Sequence, residues 1–234
     1  MINIVIPAAG DGSRFKHHYA MPKPLIPING IPMIAAAIKS LNIQARYHFV
    51  LKDNEYLQET IEAISTEITE SNIIKVSSTT QGAAASVLLL EDHIDSSSEL
   101  IVANCDQIMK WDSVSALRAM RCYDGAVVTY KNTNPKNSFA RVIDGLVEEI
   151  KEKEVIGNIA LTGIHYWAKA GYFFDSAKRM IERDDRQNNE FYVAPTFNYL
   201  INDGLDIGIY HIRKNEFFPV GTPEDLESYL NENR

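Results

Sequence analysis

Ile6-Pro7-Ala8-Ala9-Gly10-Asp11-Gly12-Ser13-Arg14-Phe15, followed by Pro22-Lys23-Pro24-Leu25, is the stretch on which the reading of this chain turns. The run before it, Asn3-Ile4-Val5-Ile6, has strand length and β-branched content and stops abruptly at small residues. Gly10 and Gly12, with Ala8, Ala9 and Ser13 around them, let backbone N–H groups approach a bulky anion with no side chain in the way. Arg14 adds a planar fork of donors and Lys23 a compact second charge. A small-residue turn with two cations after the first strand predicts a phosphate cradle. Two familiar cradles are excluded. No Gly-Lys-Ser/Thr ending follows Gly12, and the third small residue of a dinucleotide fingerprint would fall on Phe15.

Composition sets the outer limits. With 234 residues, 45% of them hydrophobic and 23% charged, the chain is long enough to bury a sizeable core as one α/β domain spanning 1–234. Lys and Arg number 23 against 31 Asp and Glu, a net charge of −8, which argues against a nucleic-acid partner. Cations for a phosphate ligand must therefore be concentrated locally. Cys105 and Cys122 build neither a disulfide framework nor a CxxC metal site. No apolar segment approaches spanning length, and the first residues lack the basic and hydrophobic runs of a signal peptide. The expectation is a soluble cytoplasmic protein with no membrane partner; self-association is left open.

Working outward, strands are expected at 3–6, 47–51 and 73–76, with helices between them. The first helix starts at Pro32 and the second carries Leu57, Ile61, Ile64 and Ile68. This alternation predicts a doubly wound, mostly parallel sheet with helices on both faces. Thr79-Thr80-Gln81-Gly82-Ala83-Ala84-Ala85-Ser86 reads as a strand running into Gly82 and an Ala-rich helix after it. Small residues there admit a flat ligand, or close helix–sheet packing, and Gln81 offers both a donor and an acceptor. Glu99 to Asp106 reads as a buried strand ending in a carboxylate that faces the same crevice as the glycine loop. Cys105 reads as small and buried. A helix is expected at 113–120, a strand at 125–131, and a hairpin around Asp144-Gly145. Further strands fall at 160–167 and 207–212, and a last helix begins in Thr222-Pro223. The adjacent His17 and His18 read as solvated.

Gly10-x-Gly12-Ser13-Arg14-Phe15, Pro22-Lys23-Pro24-Leu25 and Ile28-Asn29-Gly30-Ile31-Pro32-Met33-Ile34 together resemble the signature of the nucleotidyltransferases that make sugar nucleotides. The resemblance implies a Rossmann-like fold with a nucleotide-binding half, about 1–110, and an acceptor-binding half, about 111–234. It also implies the reaction of a nucleoside triphosphate with a phosphorylated acceptor, most often a sugar 1-phosphate, releasing pyrophosphate. By the same resemblance Ala8, Ala9, Gly10, Gly12, Ser13, Gln81, Gly82 and Asn104 would contact the nucleotide, and Arg14 and Lys23 would be catalytic. Asp106 would carry Mg²⁺, and Glu152, Lys153, Gly163 and Glu190 would meet the acceptor. Alone, Glu152-Lys153 would be an ordinary solvated charge run.

One position departs from the family pattern. Where the family reads Asp-x-Gly-Thr-Pro, with the aspartate a second metal ligand, this chain has Pro219-Val220-Gly221-Thr222-Pro223. Either Asp106 holds the ion with phosphates and water, or a neighbour such as Glu216 substitutes, or the metal position differs. Three alternatives stay open: a cytidylyltransferase acting on a non-sugar phosphate for surface-polymer synthesis, a glycosyltransferase of related fold, and an inactive nucleotide-binding regulator.

Overall fold

Ile4 and Ile6 enter one hydrophobic layer and Val5 the other, so the first strand is buried on both faces. The same alternation splits Phe49 from Val50 and Ile101 from Val102. Strands covered on both sides read as unbroken apolar runs, which is how these segments appear in the sequence. The computed structural model describes residues 1–233.

The chain runs β1 (Asn3–Ala8), β2 (Pro27–Ile28), β3 (Ile31–Pro32), α1 (Met33–Leu41), β4 (Arg46–Lys52), α2 (Leu57–Ser65), β5 (Ser71–Val76) and α3 (Ala83–Leu88). It continues through β6 (Leu100–Ala103), β7 (Gln107–Met109), α4 (Ser113–Met120), β8 (Gly125–Lys131), β9 (Ser138–Ile143) and β10 (Leu146–Glu152). The last elements are β11 (Ile159–Trp167), α5 (Ala170–Glu182), α6 (Thr196–Asn202), β12 (Ile207–His211), β13 (Phe217–Pro219) and α7 (Pro223–Glu232). Nine strands form one sheet in the order β5-β4-β1-β6-β11-β8-β12-β10-β9. The β5-β4-β1-β6 half is parallel, whereas β11 runs antiparallel to both β6 and β8.

Strand order reverses at β1, which lies between β4 and β6. Crevices beyond the carboxyl ends of strands form at such points. The β1–β6 register pairs Val5 with Val102, so the loop after Ala8 emerges level with Asn104-Cys105-Asp106. A smaller cluster beneath that loop seats Phe15 against Ile26, Met33, Val220 and Leu226.

Most predicted elements are present, including the hairpin, whose Asp144 and Gly145 have φ of 50° and 86° as a type I′ turn requires. Three expectations need correction. The strand expected to end in Asp106 stops at Ala103, and Asp106 lies in the bend before β7. No strand leads into Gly82: β5 ends at Val76 and residues 77–82 form a loop. Pro32 precedes the first helix as its N-cap, because its extended ψ of 139° belongs to the β2–β3 ladder.

Candidate active site

The glycine loop is held open by geometry that only these residues tolerate. Gly12 is left-handed, φ +56°, and a Cβ there would stand 2.9 Å from the Cβ of Lys23. The missing side chain is therefore what lets Lys23 cross beneath the loop. Ser13–Phe15 and Lys23–Leu25 are single 3₁₀ turns, the first anchored by buried Phe15 and the second stiffened by Pro24. Asp11, whose place in the loop the sequence did not explain, accepts from Lys52 and from Thr79 Oγ1, the latter at 2.8 Å. Those bonds hold its carboxyl below the usual range and fasten the loop to the end of β4. Ala8 and Ala9 are buried, while Gly10, Ser13 and Arg14 are exposed. A cleft of about 230 Å³ opens beside them, lined by Ala8, Gly10, Pro22, Lys52 and a further cation, Lys16. A larger cleft, about 500 Å³ between α5 and α6, touches none of these groups.

Lys23 Nζ and Asp106 Oδ2 form an ion pair, with side chains 20% and 21% exposed. Burial opposes the Lys23 ammonium, yet the adjacent carboxylate holds it above its ordinary range. Burial likewise pushes Asp106 up, and the charge and hydrogen bond of Lys23 outweigh that and hold it down. Both groups are therefore ionised. Arg14 is close enough for its charge to act on Lys23, Asp106 and Tyr192, and among the described residues it has no ion-pair partner. Burial pushes the Cys105 thiol up to about 11, in keeping with an inert packed sulfur.

Gln81 and Gly82 lie where the acceptor loop crosses the nucleotide half. Phe191 N–H donates to the Gln81 carbonyl at 2.8 Å, and Ala84 N–H donates to the Phe191 carbonyl at 3.0 Å. Gly82, φ +130°, has its open side against this backbone: a Cβ would meet Phe191 N and O at 2.5 Å. Its glycine thus serves chain packing. The Gln81 side chain stays exposed and accepts from Arg186 Nη2 at 3.4 Å, while the Arg186 guanidinium lies 4.4 Å from the Phe191 ring centroid.

On the acceptor side, Lys153 donates to Tyr192 Oη and lies 4.5 Å from the centroid of that ring. Tyr192, beside Glu190 in the expected acceptor loop, is a residue to which the sequence assigns no role of its own. Burial, then Glu190, pushes its phenol above the ordinary range. Glu152, 8% exposed, accepts from Ser138 Oγ; burial raises its carboxyl despite that bond. Glu190 is exposed, in a bridge with Gln187. Gly163, φ +92°, packs closely on neighbours of the same chain: Asn104 Nδ2 and Gln107 Oε1 lie 2.3 and 3.0 Å from where its Cβ would be. The Gln107 amide is buried with neither polar atom bonded, a second group the sequence did not flag.

For a divalent cation the donor set is sparse. Pro219 lies opposite Gln107 in the β7–β13 ladder and offers no side-chain ligand. Glu216 is not the substitute: its carboxylate binds Arg213 Nη2 at 2.9 Å and Arg213 N–H at 2.7 Å. Among the described residues no three His, Cys, Asp or Glu side chains gather as a metal site. Asp106 alone, already paired with Lys23, fits an ion that brings oxygen ligands from a triphosphate, because Mg²⁺ is usually bound by few carboxylates plus phosphates.

The mixed sheet presents a glycine-rich loop and the Lys23–Asp106 pair at its switch point. The sequence profile of the MobA-like NTP transferase domain matches residues 4–158, and the chain belongs to that family. No curated protein matches it by sequence. Among solved structures it is similar to the nucleoside-diphosphate-sugar pyrophosphorylase from Vibrio cholerae RC9, with TM-score 0.85 and 22% identity over 97% of this chain and 99% of that one. It is similar also to the inositol-1-phosphate CTP transferase from T. maritima, at 0.75 and 16% over 98% and 96%. A UDP-glucose pyrophosphorylase complexed with UDP-glucose gives 0.79 and 18% over 100% and 98%. At these identities the likeness is one of fold. No helix among the described residues is long and apolar enough to cross a membrane.

Proposed function

We propose that this protein transfers a nucleotidyl group from a nucleoside triphosphate to a phosphorylated acceptor, most simply a sugar 1-phosphate, and releases pyrophosphate. The observation that carries this reading is the Lys23–Asp106 ion pair, set beneath the Gly10–Phe15 loop at the carboxyl ends of β1 and β6.

An acceptor phosphate oxygen forms the new bond to the α-phosphorus. The α–β bridging P–O bond breaks, and its electron pair leaves with pyrophosphate. The attacking oxygen is already ionised, so no general base is required. What the chain contributes is alignment and neutralisation. Arg14 holds the leaving β- and γ-phosphates. Lys23 spans the phosphates at the reacting centre, and Lys153, steered by Tyr192, holds the acceptor phosphate. Backbone N–H groups from Ala9 to Ser13 line the triphosphate. Gln81 offers its exposed amide to the base, Asn104 contacts the nucleotide, and Glu190 meets the acceptor. Asp106 would hold Mg²⁺ arriving with the nucleotide; when bound, the ion neutralises phosphate oxygens.

A panel of nucleoside triphosphates against phosphorylated sugars, polyols and amino alcohols, with pyrophosphate as the readout, tests the reading. Pyrophosphate release that depends on one acceptor class is the expected result. Nucleotide binding without release for any acceptor would overturn it in favour of a regulator. Free nucleoside diphosphate released from a nucleotide sugar would indicate a glycosyltransferase.

A further inference from the structure

Asp106 already faces a cation that the chain itself provides. The Lys23 ammonium is bound to Oδ2. The segment Val220-Gly221 packs on the same residue: Val220 N–H donates to the Asp106 backbone carbonyl at 2.9 Å, and a Cβ on Gly221 would be 2.4 Å from Oδ2. Position 219 is one residue before that hydrogen bond and directly opposite Gln107. The pyrrolidine ring of Pro219 brings no oxygen to this segment. Lys23 cancels the charge of Asp106, and Arg14 adds a further positive charge nearby. A hard divalent ion seeks several anionic or carbonyl oxygens and here meets a neutralised carboxylate under a positive field.

We propose that Lys23 is the resident cation of Asp106, so that the nucleotide-free protein binds no divalent metal, and that Pro219 is the residue responsible. Lys23 releases Asp106 only when a polyphosphate competes for its ammonium. The inference concerns the same crevice as the nucleotidyl-transfer reading and rests on it for the arrival of that polyphosphate. Its test contains no nucleotide and no turnover, so either can fail while the other stands.

The experiment is titration of Mn²⁺ into the nucleotide-free full chain, following free Mn²⁺ by electron paramagnetic resonance. Wild type is expected to leave the free-ion signal undiminished into the millimolar range. Pro219→Asp is expected to bind one Mn²⁺ per chain, roughly ten-fold or more tighter than wild type, as adding a carboxylate to a hard-cation site should. Adding Asp106→Asn to that variant should abolish the gain. Submillimolar binding to wild type that disappears in Asp106→Asn would overturn the proposal. So would a folded Pro219→Asp with no gain. Should Pro219→Asp fail to fold, Lys23→Met uncovers Asp106 without touching the β7–β13 ladder. It must then show measurable Mn²⁺ binding, and a folded Lys23→Met as indifferent to Mn²⁺ as wild type overturns the proposal equally.

Discussion

Lys23 and Asp106 lie 83 positions apart in the chain and share one proton-rich contact, with each side chain about four-fifths shielded from water. Shielding on that scale makes each charge costly without its partner. It also makes the pair responsive to a polyanion that offers Lys23 more than one carboxylate can. Lys23→Ala is therefore expected to lower the rate of pyrophosphate release by about 10²–10³ or more, the usual consequence of losing one placed donor, while circular dichroism stays that of wild type. Undiminished release would remove Lys23 from the chemistry. Tyr192 acts on a neighbour. Tyr192→Phe keeps the ring under the Lys153 ammonium but removes the oxygen that takes its hydrogen bond. The expected outcome is a raised KM for the acceptor with KM for the nucleotide unchanged, read from initial rates. Equal effects on both would refute a steering role confined to Lys153.

At the scale of elements, the crossing of the 81–84 segment with Phe191 joins the two halves of the crevice. Gly82→Ala places a methyl group 2.5 Å from the Phe191 backbone at φ +130°. Neither backbone atom can rotate out of the way, so the crossing must open. The expected loss of stability is about 1–3 kcal/mol from the strained dihedral alone, measured by urea denaturation, with Gln81 and Tyr192 displaced together. The start of α7 is a second joint. Thr222 caps it by accepting from Asp225 N–H at 3.1 Å, and the same residue directly follows the segment packed on Asp106. Thr222→Ala is expected to cost about 1 kcal/mol, the ordinary value of a helix N-cap.

For the molecule as a whole, the pH response follows from two histidines inside the sheet. Burial holds His165 at about 4; burial, with Arg46 adding to it, holds His48 at about 4. An unfolded chain takes up these protons near pH 6.5, the folded one only near 4. Their contribution to stability is thus complete above about pH 6.5, falls as pH drops toward about 4, and falls no further below that. Each contributes at most about 3 kcal/mol by this linkage. The melting temperature is expected to be lower at pH 5 than at pH 7. His165→Phe should flatten that difference, since its ring neighbours Trp167 and Phe197 lie 6.2 and 6.0 Å away and accept an aromatic ring. A variant as pH-sensitive as wild type would assign the slope to other groups.

Short-range regularities were legible in the chain. Apolar runs buried on two faces, the Asp144-Gly145 turn, the Thr222-Pro223 helix start and the small-residue loop after β1 each depend on neighbours a few positions away, which the sequence displays side by side. Tertiary structure alone decided which glycine faces what: Gly163 yields to Asn104 and Gln107, Gly82 to Phe191, and Gly221 to Asp106. It also decided that Lys153 donates to Tyr192 and that Lys23 covers Asp106. These contacts join segments dozens of residues apart, and Lys23 and Asp106 become neighbours only through the surfaces that meet when the sheet closes. Local propensity specifies how a segment is shaped; only packing specifies which charged side chain lies within hydrogen-bonding distance of which.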